Sequence, residues 1–118
     1  MKLLTLLFCA AIGFGFSDPV TCKKGLVAAE DALNLVRKSQ NGDWAEAKKN
    51  LDKAMDLLDD VVDNTDDCGC AAANDAAEDA YKSAKKAYKG EDAGETRKHG
   101  KKAQEYTEKA ITLLKNCQ

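Results

Sequence analysis

The stretch "DDCGCAAANDAAEDA", residues 66–80, places two cysteines one residue apart between an acidic run and an alanine-rich run. Cys68 and Cys70 can form one functional pair, for a metal or for thiol chemistry. Alternatively, each belongs to a different disulfide bond that stabilises the fold. The pattern of the remaining chain favours the second interpretation.

The chain contains an internal repeat. The pentapeptide "AAEDA" occurs twice, 48 residues apart, and the same offset carries Cys22 onto Cys70. An offset of 49 residues carries Cys68 onto Cys117. Each unit reads as cysteine, helix, Gly-acid turn, helix, cysteine. The repeat therefore predicts that one helical unit was duplicated.

Apolar residues recur every three or four positions, as in helices that bury one face, and no segment alternates with period two. "NGD" at 41–43 predicts the end of one helix, with Asp43 as the N-cap of the next. The predicted inward stripes comprise Cys22, Leu26, Ala29, Leu33 and Val36; Trp44, Ala47, Leu51, Ala54, Leu58, Val61, Thr65 and Cys68; Cys70, Ala73, Ala77, Ala80, Ala84 and Ala87; and His99, Ala103, Tyr106, Ala110, Leu113 and Cys117. We therefore predict an all-α fold: an antiparallel four-helix bundle of two tandem, duplicated, disulfide-stapled α-hairpins, one at 18–68 and one at 70–118.

This arrangement predicts how the cysteines pair. Two antiparallel helices of about 20 residues, each about 30 Å long, return the chain to the end where it started. The first and last cysteines of each hairpin then meet, which predicts the disulfides Cys22–Cys68 and Cys70–Cys117. A Cys68–Cys70 bond would close a tight, strained ring. The aspartates around this pair also disfavour a thiolate.

The N-terminus predicts export. "MKLLTLLFCAAIGFGF" has one lysine followed by an apolar run of about 14 residues, which is shorter than a membrane-spanning helix. Small residues precede Asp18, so we predict a signal peptide at 1–17, cleaved between Ser17 and Asp18. Cleavage would remove Cys9 and leave four cysteines, an even number typical of disulfides. We predict a single helical domain at 18–118, secreted or periplasmic, with no membrane insertion after cleavage.

The sequence offers no catalytic constellation. His99 is the one histidine, and no haem, di-iron or phosphate-binding motif occurs. The net charge of −2 does not favour nucleic acid as a partner. We therefore predict no enzyme activity, no cofactor and no metal, and interpret the protein as an exported binding or interaction module. The alternative is a thiol or metal-binding protein that uses the Cys68/Cys70 end.

One segment resembles a known family. "GDWAEAKKNLDKAMDLL", residues 42–58, resembles the turn and second helix of a tetratricopeptide repeat. The matching positions are Gly42, Trp44, Glu46, Ala47, Leu51, Lys53, Ala54 and Leu57. That family stacks helical hairpins and generally binds peptides or proteins in the resulting groove. The resemblance therefore implies a protein or peptide partner.

Charge is unevenly placed along the chain. Residues 52–79 contain ten acidic residues and one lysine, whereas residues 82–102 contain eight basic and three acidic residues. In the hairpin arrangement the basic set flanks the second turn and faces outward. Such a set is typical of a solvated surface that keeps a small bundle soluble. The more specific hypothesis is that it contacts an anionic partner, an acidic protein surface or an anionic polymer. The candidate contacts are Lys85, Lys89, Arg97, Lys98, Lys101 and Lys102.

Overall fold

The computed structural model describes residues 19–117, and within that range it contains four α-helices and no β-strand. The helices are α1 Pro19–Ser39, α2 Trp44–Asp67, α3 Ala71–Tyr88 and α4 Ala93–Asn116. The predicted all-α class is confirmed. The predicted signal peptide at 1–17 lies outside the described residues.

The connections between α1 and α2 (residues 40–43) and between α3 and α4 (residues 89–92), which we call the two long turns, are built alike. Asp43 is the N-cap of α2, and its side chain accepts a hydrogen bond from the N–H of Glu46 at 2.8 Å. Asp92 is the N-cap of α4 and accepts from the N–H of Glu95, also at 2.8 Å. Each carboxylate satisfies an amide that the first helical turn leaves without a partner. The predicted N-cap at Asp43 is confirmed.

Four pairs of neighbouring helices pack into a helical bundle. α1 packs along α2 and α3 along α4, while α2 also contacts α3 and α1 contacts α4. The core has two parts. Around the cysteines it includes Leu33, Val61 and Leu114, and nearer the two long turns it includes Leu51 and Leu58. Alanines fill much of the rest and allow the helices to approach closely.

The predicted disulfides are confirmed. Cys22 is bonded to Cys68 with a Cα–Cα distance of 5.4 Å, and Cys70 is bonded to Cys117 with a Cα–Cα distance of 6.1 Å. Two such bonds indicate an oxidising, extracellular environment. In the described part of the chain, none of the helices combines the length and the apolar character needed to cross a membrane.

The predicted inward stripe of α4 is wrong by one residue along much of its length. His99, Tyr106 and Leu113 are only half-buried, whereas the residue after each of them is buried. The buried residues of α4 are Thr96, Gly100, Ala103, Thr107, Ala110, Ile111 and Leu114. Thr107 is tolerated in the core because its hydroxyl donates to the carbonyl of Ala103 at 2.6 Å.

Trp44 also departs from its predicted inward position. Its side chain is 39% exposed, although the rest of the predicted stripe of α2 is buried. Trp44 is the first residue of α2, so its indole extends past the end of the core. There the ring N–H donates to the hydroxyl of Thr96 at 3.0 Å.

Candidate functional site

The described residues divide into two halves of opposite charge. We define the turn half as residues 30–55 and 80–104, which surround the two long turns, and the cysteine half as the remaining described residues. The turn half carries thirteen basic and eight acidic side chains, a net charge of +5. The cysteine half carries four basic and eleven acidic side chains, a net charge of −7. A chain of small net charge is therefore strongly polarised along its helices.

Contacts between the two long turns hold the turn half together. The hydrogen bond from Trp44 to Thr96 joins the start of α2 to the start of α4. Thr96 is buried and lies against Gly90, where an added Cβ would meet the main-chain nitrogen of Thr96 at 2.9 Å. At Gly100, an added Cβ would lie 3.3 Å from the side-chain nitrogen of Gln40, at the end of α1. The basic residues here are thus carried by a fixed framework.

Four lysines of α3 form one exposed surface, which we call the lysine row: Lys82, Lys85, Lys86 and Lys89. Their spacing of three and four residues places them on the same face of the helix. They line a shallow depression of about 300 Å³. Among residues 19–117, the one ion pair within 4 Å joins Arg37 to Glu108 at 3.0 Å, so no carboxylate forms an ion pair with the row.

Repulsion among the lysines of the row destabilises the folded state. Like charges three or four residues apart on a helix are unfavourable by about 0.2–0.5 kcal/mol per pair. Lys85 and Lys86 lie in the last turn of α3, where the helix dipole favours cations and offsets part of this cost. The acidic residues of α3 lie nearer its start, within one turn of Lys82 only. Lys85 and Lys86 therefore have no acidic residue within one turn on their own helix, and the row keeps an excess of positive charge.

A cleft between the start of α2 and the end of α3 adjoins the row. This α2–α3 cleft has a volume of about 420 Å³ and is lined by Ala45, Lys48, Lys49, Asp52, Tyr88 and Lys89. Lys89 belongs to both surfaces and makes them continuous. Tyr88 is 38% exposed, and the Nζ of Lys48 lies 4.5 Å from the centre of the Trp44 ring. Aromatic faces and ammonium groups thus lie side by side.

The six predicted contacts are all exposed, and they do not line one common depression. Lys85 and Lys89 belong to the lysine row. Arg97 instead borders a small depression with Trp44, on the side of α4 next to α1. The other three, Lys98, Lys101 and Lys102, lie on the exposed surface of α4. Helical spacing places Lys101 near Arg97 and Lys102 near Lys98, on different sides of that helix.

Sequence reasoning missed three residues of the α2–α3 cleft: Lys48, Lys49 and Tyr88. The two lysines lie in the segment that resembles a tetratricopeptide repeat, but they are not among its matching positions. The detectable signal was an aromatic residue directly before a lysine at the end of α3. Nothing in the sequence pattern shows that the start of α2 lies beside it.

The cysteine half contains a larger groove, of about 530 Å³, on the outer side of α1 and α2. Val27 and Leu57 provide its apolar lining, and Val27 is 56% exposed. Both lysines and aspartates border it, so the groove has no dominant charge. Its lining residues are Val20, Lys23, Lys24, Val27, Ala28, Asp31, Leu57, Asp60 and Asn64.

The Cys68/Cys70 end is oxidised in this structure. All four sulfurs are bonded in disulfides, and Cys68 and Cys70 are buried. Use of these sulfurs as thiols or metal ligands would require a bond to be reduced first. Among the described residues, no group of three or more His, Cys, Asp or Glu side chains is arranged to hold a metal ion. What the turn half offers chemically is a set of cations and hydrogen-bond donors beside exposed aromatic rings.

No model of a protein family, no curated protein and no solved structure matches this chain. The resemblance of residues 42–58 to a tetratricopeptide repeat stays a prediction from the sequence. The features of this chain that bear on its function are therefore the geometry and charge of the turn half.

Proposed function

We propose that this protein is an exported, non-catalytic helical binding module whose turn half binds an anionic partner. The partner class comprises acidic proteins, acidic peptides and anionic polymers. The observation that carries the proposal is the lysine row of α3, which is exposed and forms no ion pair within 4 Å in the described chain. A partner with closely spaced negative charges would relieve the repulsion among these lysines.

We also propose how the fold arose and to which compartment the protein is exported. We infer an antiparallel bundle of two hairpins that arose by duplication. The two disulfides support this, because they span 46 and 47 residues, and so do the equivalent N-caps Asp43 and Asp92. We also infer that residues 1–17 act as a cleaved signal peptide. Disulfide formation fits the secreted or periplasmic destination that such a peptide implies.

Binding of this kind is electrostatic and additive. An exposed ion pair contributes only about 0.2–1 kcal/mol, so useful affinity requires several lysines to act together on one partner. A rigid helix that presents four of them provides this. At physiological salt, charges are screened over about 8 Å, so the affinity should fall as the ionic strength rises.

The test uses immobilised poly-L-glutamate as the anionic probe and the mature chain 18–118. We expect retention at low salt and release as salt is raised. The triple variant K82E/K85E/K86E should bind at least about tenfold more weakly, because each reversal replaces an attraction by a repulsion.

The matched control is K23E/K24E/K115E, which makes the same change in net charge in the cysteine half. It should keep most of the binding. If the two triple variants lost the same amount of binding to poly-L-glutamate, the change in net charge alone would explain the loss. That result would refute a site on α3. Retention that salt does not weaken would refute the electrostatic mechanism.

A further inference from the structure

We propose that the α2–α3 cleft and the lysine row bind an acidic polysaccharide, a sugar chain that carries carboxylate or sulfate groups. This inference rests on the proposed function and names its ligand. It assigns the cleft to one sugar ring and the row to the units that follow along the chain.

The cleft offers a flat apolar surface to a sugar ring. Four large apolar side chains of the described residues are exposed, and the two aromatic ones, Trp44 and Tyr88, both belong to the turn half. A phenol ring presents an apolar face and a polar tip, which suits a ring that has C–H groups on one face and hydroxyls around its edge. Ala45 also lines the cleft, and its small side chain leaves room beside Tyr88.

The walls of the cleft provide charges on two sides. Lys48 and Lys49 come from α2 and Lys89 from α3, so an anionic group between them meets ammonium groups fixed on different helices. Each ammonium donates up to three hydrogen bonds, which fits carboxylate and sulfate oxygens. Lys48 also lies against the Trp44 ring, which orients its ammonium group.

One acidic residue in the cleft distinguishes sugars from nucleic acid. Asp52 lies among the lysines and carries only acceptor oxygens when ionised. Sugar hydroxyls can donate to it, whereas a phosphodiester backbone would be repelled. The cations of the cleft are all lysines, while arginine is the residue that matches phosphate in a bidentate manner. The side chains therefore fit a polyol with anionic groups better than a phosphate chain.

The lysine row extends the cleft in one direction. Lys89 lies in both, and the eight residues from Lys82 to Lys89 cover about 10 Å along the axis of α3. A linear polymer seated in the cleft would continue along this face. Several weak ion pairs would then act on one molecule, as the proposed function requires.

The experiment titrates the mature chain with polygalacturonate, dextran sulfate, uncharged dextran and oligo(dT) at low salt. Trp44 is the one tryptophan of the chain, and its ring lies against Lys48, which lines the cleft. Its fluorescence therefore reports on Lys48. We expect both acidic polysaccharides to change the emission, and uncharged dextran to have no effect. Tyr88→Ala should weaken polygalacturonate binding about tenfold, because it removes the aromatic face. Tyr88→Phe keeps that face and should stay within about threefold of the original chain.

The outcomes separate the two proposals. If Tyr88→Ala binds polygalacturonate as tightly as the original chain, while K82E/K85E/K86E does not, the cleft assignment is wrong and the proposed function stands. If the original chain binds neither poly-L-glutamate nor the acidic polysaccharides, both are wrong. Tighter binding of oligo(dT) than of polygalacturonate would overturn the ligand class. Thermal unfolding of each variant checks that the bundle has formed.

Discussion

Opening one disulfide should destabilise the bundle by about the same amount as opening the other. The Cys22–Cys68 bond spans 46 residues and the Cys70–Cys117 bond spans 47. In the chain-entropy model, closing a loop of this length lowers the entropy of the unfolded chain and so raises its free energy by about 4 kcal/mol at 25 °C. A domain of this size has a total stability of about 5–15 kcal/mol, so each bond accounts for a large share of it.

The perturbation is a pair of double variants, Cys22→Ala/Cys68→Ala and Cys70→Ala/Cys117→Ala. Urea unfolding followed by circular dichroism gives the free energy of unfolding. The slope of the transition should increase, because the unfolded chain is less compact without the bond. We expect each variant to lose about 4 kcal/mol, with the two losses within about 1 kcal/mol of each other. Full reduction of the unaltered chain should unfold it.

Unequal losses would contradict the reasoning. If one double variant lost about 4 kcal/mol and the other less than about 1.5 kcal/mol, loop length would not govern the effect. A difference in local packing would then dominate. Cys22 and Cys68 are completely buried, whereas Cys117 is half-buried, so a dominant packing effect would make the first pair the more costly one to remove.

Two further predictions concern the turns. Gly90→Ala should lower the free energy of unfolding by about 1–3 kcal/mol, because the new Cβ would press on the main chain of Thr96, 2.9 Å from its nitrogen. Gly42→Ala, at the corresponding position of the first turn, is the control, because an added Cβ there would have its nearest contact at 3.4 Å, and it should stay within about 0.5 kcal/mol. Equal effects at the two glycines would refute the steric argument. Asp43→Ala and Asp92→Ala should each cost about 1 kcal/mol by removing an N-cap hydrogen bond. Asn at either position keeps the acceptor and should restore most of the loss in thermal unfolding, so a loss that Asn did not restore would contradict the capping role.

The local features of the fold could be predicted because they depend on neighbouring residues. The three- and four-residue spacing indicated helices, and the Gly-acid turn at Gly42 indicated Asp43 as the N-cap of α2. The second Gly-acid pair ends at Glu91, whereas the N-cap of α4 is Asp92. The stripe of α4 could not be placed correctly, because the sequence shows Tyr106 and Leu113 as the larger apolar side chains. Burial on α4 instead centres on Gly100 and Thr107, which face the opposing helices. A Cβ added at Gly100 would meet Gln40, which follows α1 and lies sixty residues away in the sequence, so the spacing along α4 alone does not show this packing.

The candidate site was predicted only in part for the same reason. Charge counting located the basic region, since a run of lysines is visible in sequence. The α2–α3 cleft joins Lys48 to Tyr88, forty residues away, and only the packing of α2 against α3 brings them together. Trp44 was expected in the core because an indole is largely apolar. Its hydrogen bond to Thr96 is a contact between the two halves of the sequence.

The connection between α2 and α3 determines how the chain responds to cleavage. Each disulfide closes the chain between its cysteines into a covalent ring, and the two rings are separated by Gly69 alone. A protease that cuts once between Cys22 and Cys68, or between Cys70 and Cys117, opens a ring without releasing a fragment. Only the two peptide bonds on either side of Gly69 can divide these rings from each other in one cut.

Those two bonds lie in a tight, hydrogen-bonded turn. The N–H of Gly69 donates to the carbonyl of Asp66 at 3.2 Å, and the N–H of Cys70 donates to the carbonyl of Thr65 at 3.0 Å. Gly69 has a φ of 78°, a conformation that glycine adopts readily and that differs from the extended backbone that proteases bind. In a medium that contains proteases, a chain linked in this way keeps its two rings joined after any single cut within them.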